Sequence, residues 1–166
     1  NTYSGTTTVS AGTLAVSGTG KLASGNYSPA LTVSSGAIFT WSSTATQTFS
    51  NLAAGTGTIN LTAASGTVTI SGDQAFTGTI NVAQAVTMSG GTNSAVAGLG
   101  NSTAININNG GTITVDATSS NANSFIGTSL RSGLTITIST GGILTTSATA
   151  DTMHLNAGSI VLAGGT

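Results

Sequence analysis

Tyr3 is followed by Thr8-Val9-Ser10 and Gly12; two dozen positions on, Tyr27 is followed by Thr32-Val33-Ser34 and Gly36 in the same register. A unit of that size is too small to bury its own apolar face, so units that repeat this way must stack on one another. The phrase returns in weaker form further along. Phe76-Thr77-Gly78-Thr79 leads to Val82, and Asn123-Ser124-Phe125-Ile126-Gly127-Thr128 copies Asn1-Thr2-Tyr3-Ser4-Gly5-Thr6. With Tyr3, Tyr27, Phe49, Phe76, Leu99 and Phe125 as markers, the numbering advances in uneven steps that all lie close to this period. Tyr3, Gly5, Gly12, Tyr27, Gly36, Phe76, Gly78, Phe125 and Gly127 are therefore expected at equivalent places of successive units, the aromatics forming a ladder.

Within each unit the apolar residues alternate with Thr or Asn. Ile59-Asn60-Leu61-Thr62, Val68-Thr69-Ile70, Ile80-Asn81-Val82, Ile105-Asn106-Ile107 and Leu134-Thr135-Ile136-Thr137-Ile138 all show a period of two, the signature of a strand with one buried side. Short turns with glycine at 12, 36, 66, 110, 141 and 158 separate the strands. An antiparallel sandwich places its turn signals every ~8–12 residues. Here like strands recur in like register, which favours parallel stacking. The expected fold is all-β: a right-handed parallel β-helix, or β-solenoid, of about seven coils of ~24 residues. Residues 1–166 read as a single solenoid segment, a fragment or tandem block of a longer repeat protein.

Charge is almost missing. Lys21 and Arg131 face Asp73, Asp116 and Asp151, for a formal net charge of −1. Nucleic-acid binding needs Lys and Arg in number and is excluded on that ground. No apolar run is long enough for membrane insertion by a helix, and without cysteine there is neither a disulfide framework nor a thiolate metal site. Disorder is excluded as well, because low hydrophobicity and high net charge are both wanting.

Polysaccharide-cleaving β-helical enzymes need two or three carboxylates converging on one sugar. The gaps from Asp73 to Asp116 and from Asp116 to Asp151 are not whole numbers of coils at a uniform period, so the three acids are expected on different faces. His154 has no second histidine, and Ser and Thr without a base are not nucleophiles. No catalytic, cofactor-binding or metal site is expected, and no enzyme. Trp41, beside Phe39, is expected in the core or an interface rather than as a sugar-stacking platform.

The stretch from Asn1-Thr2-Tyr3-Ser4-Gly5 through Val9 to Gly12-Thr13-Leu14 resembles the autotransporter-associated β-strand repeat, with the tyrosine, both glycines and the closing Gly-Thr-Leu at that family's spacing. Tyr27 to Ile38 is the best second copy. The resemblance implies a bacterial protein, secreted and displayed at the outer cell surface, with a parallel β-helical and often adhesive passenger. The partners implied are glycans or a host or neighbouring cell surface. The last residues, Ser159-Ile160-Val161-Leu162-Ala163-Gly164-Gly165-Thr166, would run on into Asn1-Thr2-Tyr3 to restore the same phrase. End-to-end stacking on copies of itself or on adjoining repeats is therefore expected. A different class of function stays open. The T-x-T motifs Thr67-Val68-Thr69, Thr112-Ile113-Thr114 and Thr135-Ile136-Thr137 are the kind of array with which some solenoids bind ice, so an ice-binding or glycan-binding face is the alternative. An in-register Thr face and outward-pointing aromatics are the features that would speak for it.

Overall fold

The computed structural model describes residues 2–89, 98, 99, 101–116, 131–147 and 157–164. In chain order the strands are β1 (Thr7–Val9), β2 (Thr13–Gly18), β3 (Asn26–Tyr27), β4 (Leu31–Val33) and β5 (Ile38–Ser43). There follow β6 (Gln47–Phe49), β7 (Thr58–Leu61), β8 (Thr67–Ser71), β9 (Thr79–Val82) and β10 (Ala85–Ser89). The last are β11 (Ala104–Ile107), β12 (Thr112–Asp116), β13 (Arg131–Ser139), β14 (Ile143–Thr146) and β15 (Ala157–Ala163). A 3-10 turn at Ala23–Gly25 is the only helical element among the described residues.

Seven strands form one sheet in the order β15-β13-β11-β9-β7-β5-β2, six form a second in the order β14-β12-β10-β8-β6-β3, and β1 pairs with β4 on a third face. Every strand-to-strand ladder is parallel. Each strand pairs with its counterpart one coil away, not with its neighbour in sequence, which makes the chain a β-solenoid. It completes about five full turns, fewer than the seven expected, although its longest sheet counts seven strands.

Period-two alternation becomes an inside and an outside. Two inner columns run the length of the first sheet: Leu14, Phe39, Ile59, Ile80, Ile105, Ile136, Ile160, and beside it Val16, Trp41, Leu61, Val82, Ile107, Ile138, Leu162. From Phe39 to Ile136 in the first, and from Trp41 to Ile138 in the second, every member is buried. Each such side chain contributes about 1.5–3 kcal/mol of burial, and its neighbours above and below supply the burial.

The repeat is less even than the markers suggest. Along the first sheet the equivalent residues are Thr13, Ile38, Thr58, Thr79, Ala104, Thr135 and Ser159, with the shortest step from Ile38 to Thr58 and the longest from Ala104 to Thr135. Variation is absorbed outside the strands, where a longer loop disturbs no ladder. The turn glycines 12, 36, 66, 110 and 141 all adopt positive φ, between 67° and 85°, a conformation that costs a residue with a Cβ roughly 1–2 kcal/mol. They do not mark one corner, however. Gly12 and Gly36 lie between the third face and the first sheet, whereas Gly66, Gly110 and Gly141 lie between the first sheet and the second. Gly158 is not a turn residue at all; it sits inside β15.

Candidate functional site

The aromatic ladder holds for one step and then changes residue type. Tyr27 pairs with Phe49, as the markers predict, but Phe49 pairs with Ile70, and the column continues through Met88, Val115 and Thr146. Phe76 is fully buried in another column: its neighbours Ala75 and Thr77 donate to the carbonyls of Leu52 and Gly55. Short coils cause the difference, since the steps from Phe49 to Ile70 and from Ile70 to Met88 both fall below the marker spacing. Tyr3 keeps the pose of Tyr27 without its cover. The Tyr3 hydroxyl donates to the Thr6 carbonyl, and the Tyr27 hydroxyl reaches the Ala30 carbonyl at 3.4 Å, also three residues on. Yet Tyr27 is fully buried, with Phe49 paired on one side and its hydroxyl donating to the Gly5 carbonyl on the other, while Tyr3 is 47% exposed. Phe125 and Gly127 lie outside the described residues.

Gly5 and Gly78 each follow an aromatic by two residues and lie against its ring. A Cβ on Gly5 would stand 3.1 Å from the Tyr3 ring, and one on Gly78 would stand 2.5 Å from Phe76 Cζ. Trp41 is in the core. It meets Phe49 edge to face at 5.6 Å, and Phe39 and Tyr27 approach the same ring at 6.0 and 6.3 Å. Its Nε1 has no hydrogen-bond partner, so packing is what holds it there.

Sequence reasoning passed over the glutamines. All three in the chain, Gln47, Gln74 and Gln84, are buried. Each turns its side-chain oxygen to a backbone N–H one coil back: Leu22 donates to Gln47 Oε1 at 2.9 Å, Leu52 to Gln74 Oε1 at 2.6 Å and Ala63 to Gln84 Oε1 at 2.6 Å. Buried N–H groups outside the strand ladders cost about 1–3 kcal/mol each if left unpaired, and a glutamine reaching inward answers that. A lone polar residue amid so many others carried no signal of this.

Two polar ladders line the outside. On the first sheet the outward column reads Ala15, Thr40, Asn60, Asn81, Asn106, Thr137, Val161. Asn81 Nδ2 donates to Asn60 Oδ1 and Asn106 Nδ2 to Asn81 Oδ1, both at 2.8 Å, an amide ladder along the axis. On the second sheet Thr48, Thr69, Thr87, Thr114 and Thr145 stack without interruption above Asn26.

The large exposed apolar residues are concentrated elsewhere. Among the described residues they are Tyr3, Leu14, Ile143, Ile160, Val161 and Leu162, and all six belong to the first coil or the last two levels of strands. At the first end they border a cavity of about 640 Å³, lined by Tyr3, Leu14, Val16, Lys21 and Leu22 among others. The strands at these ends, β2 and β15, are the two edges of the seven-stranded sheet.

Of the acids, Asp116 ends β12 in register with Ser89 and Ser71, while Asp73 follows β8 beyond Gly72, whose φ is 77°. The steps from Ser71 to Ser89 and from Ser89 to Asp116 are unequal, one shorter and one longer than the marker spacing, so the period is not uniform. Asp73 Oδ1 accepts from the Gly98 N–H at 3.4 Å. Asp151 and His154 lie outside the described residues. Among the described residues no three His, Cys, Asp or Glu side chains gather as a metal site, and no helix is long and apolar enough to cross a membrane. Comparison with protein-family models, curated proteins and solved structures finds no match to this chain.

Proposed function

We propose that this chain is a structural module of a secreted bacterial surface protein or extracellular filament, whose solenoids stack end to end into a fibre or stalk. One observation carries the reading: every strand ladder is parallel and joins a coil only to the next coil, so β2 and β15 can each take a further strand in the pattern used throughout, and the flanks are Thr, Asn and Ser. Parallel strand edges of this kind accept another strand. Low net charge removes the repulsion that would keep like surfaces apart. The resemblance to autotransporter-associated repeats supports a bacterial, outer-surface setting and an adhesive role, for which the polar flanks are the surface left free.

Electron microscopy and sedimentation test this. The chain is expected to form rods longer than one solenoid, and Leu162→Asp, a charge on the most exposed apolar position (64%), is expected to return it to single units. Assembly unchanged by that charge, or a wild-type chain monomeric at every concentration, refutes stacking.

A second reading has its own support. The five-threonine column of the second sheet forms one in-register line of hydroxyls and methyls, beside an outward column that reads Thr67, Ala85, Thr112 and Ile143. β-branched side chains are stiff at χ1, so the array is ordered before anything binds. Of the six described aromatics Tyr27, Phe39, Trp41, Phe49 and Phe76 are buried, and Tyr3, 47% exposed, belongs to the first coil rather than to the threonine column, which favours ice over a stacked glycan as the partner of this face. Inhibition of ice recrystallisation, lost in Thr87→Lys, is the expected result under this reading; a chain without such activity leaves the structural reading alone.

A further inference from the structure

We propose that Asn109 is a self-modification site: it deamidates through the backbone nitrogen of Gly110, and Gly141 of the next coil sets how fast. The corner concerned lies inside the solenoid, between β11 and β12, with coils on both sides. The inference does not depend on the stacking reading.

The reaction consumes water and needs no other reagent. The Gly110 nitrogen, once it has lost its proton, attacks the Asn109 side-chain carbonyl carbon. A C–N bond forms, a succinimide ring closes and the amide nitrogen leaves as ammonia. Water then opens the ring at either carbonyl, giving aspartate or its β-linked isomer. A side chain on the following residue obstructs ring closure, so glycine there is the most permissive partner. Of the thirteen asparagines in the chain, only Asn109 precedes glycine.

Asn109 and Gly110 are the exposed central residues of a turn closed by the Gly111 N–H donating to the Asn108 carbonyl at 2.8 Å. Gly110 has φ 80°, as the third residue of a type II turn requires. Among the described residues the Asn109 amide has no hydrogen-bond partner. Asn60, Asn81 and Asn106 differ on each count. Their amides bond along the ladder, and bulky residues follow them within paired strands. The turn of the next coil, residues 139–142, stands in register with the Asn109 turn and closes the same way, the Gly142 N–H donating to the Ser139 carbonyl at 2.8 Å. Gly141 there touches both reacting groups. A Cβ on it would overlap Asn109 Oδ1, and its carbonyl accepts from the Gly110 N–H, the proton that must leave, at 3.3 Å. Ring closure therefore waits for this corner to open. Either product adds a negative charge to a chain whose formal net charge is −1, and the isomer also lengthens the backbone between β11 and β12 by one carbon.

Peptide mapping of the folded chain, held in mildly alkaline buffer, tests this. Amide-to-acid conversion is expected at Asn109 ahead of every other asparagine, as a mixture of aspartate and its isomer, and faster in denaturant than in the folded chain. Asn109→Gln, whose ring would be one atom larger, is expected to stop it. Gly141 has φ 78°, and the strain a Cβ meets there raises the open population roughly 5–30-fold; Gly141→Ala should quicken conversion by as much. Gly36→Ala puts the same strain at a distant corner, with φ 75° and nothing within 4 Å of the added Cβ. Because each coil rests only on its neighbours, that variant should leave the rate at Asn109 unchanged. Should Gly141→Ala not fold, sub-denaturing urea on the wild type reads the same gate: exchange of the Gly110 amide and conversion of Asn109 should accelerate together. A folded chain that keeps its Asn109 amide, or acid appearing as fast at Asn60 or Asn81, overturns the site. Conversion as fast folded as unfolded, unmoved by Gly141→Ala, equally quickened by Gly36→Ala or uncoupled from Gly110 exchange overturns the gate.

Discussion

Phe49→Ala is expected to destabilise the fold by about 3–5 kcal/mol, the range for deleting a buried aromatic ring. Phe49 is 2% exposed and is the ring on which Tyr27, Phe39 and Trp41 all converge edge to face. Such pairs contribute about 0.5–1.5 kcal/mol each beyond area burial, and removing the shared member loses three at once. Its place in the column between Tyr27 and Ile70 also lets the cavity open toward two coils. Trp41 is the only tryptophan of the chain, so fluorescence in a denaturant titration reports on this cluster directly. Because each coil rests only on its neighbours, the loss should fall on the coils around β3, β5 and β6. Phe49→Leu, which keeps most of the volume, is expected to cost less than about 1.5 kcal/mol. A loss below about 1 kcal/mol for Phe49→Ala, well under the core-deletion range, means the ring is not packed as described.

The second large effect is at Gly78. A Cβ there would overlap the Gly57 carbonyl and stand 2.5 Å from Phe76 Cζ and 2.9 Å from the Thr56 carbonyl carbon. Gly57, one coil below, is as tightly placed, with Ala37 O and Val33 Cγ1 both 2.7 Å from where its Cβ would be. Two of the near atoms at Gly78 are backbone, and the Gly57 carbonyl is already engaged by the Thr79 N–H at 3.0 Å. Relief therefore requires the coils to move apart. Gly78→Ala is expected to cost at least the ~1–3 kcal/mol typical of overpacking, seen as a lower denaturation midpoint and faster exchange of the Thr79 amide. Gly133 is the control: a Cβ there meets nothing within 4 Å and its φ is not in the left-handed region, so Gly133→Ala should stay within ~0.5 kcal/mol. Equal losses at the two glycines would mean that close coil contact is not what requires glycine at 78.

What the amino-acid order determines by itself is local. Alternation in Ile59-Asn60-Leu61, Val68-Thr69-Ile70, Ile80-Asn81-Val82 and Ile105-Asn106-Ile107 decides which side chains are inside, because successive residues of any strand point to opposite faces. Glycines 12, 36, 66, 110 and 141 decide where the chain bends, because only the turn's own backbone demands positive φ. Repetition then implies stacking. Which residue of one coil sits above which of the next is a different matter, set by how much chain each loop spends, and the step from Ala104 to Thr135 is half as long again as the step from Ile38 to Thr58. Tertiary structure alone therefore put Ile70 rather than Phe76 over Phe49 and joined Asn60, Asn81 and Asn106 into one ladder. It also turned three unremarked glutamines into partners for buried N–H groups, and left Tyr3, identical in kind and spacing to Tyr27, half exposed. Burial in a solenoid comes from the coil on either side, and no residue's own sequence neighbourhood says whether that coil is there.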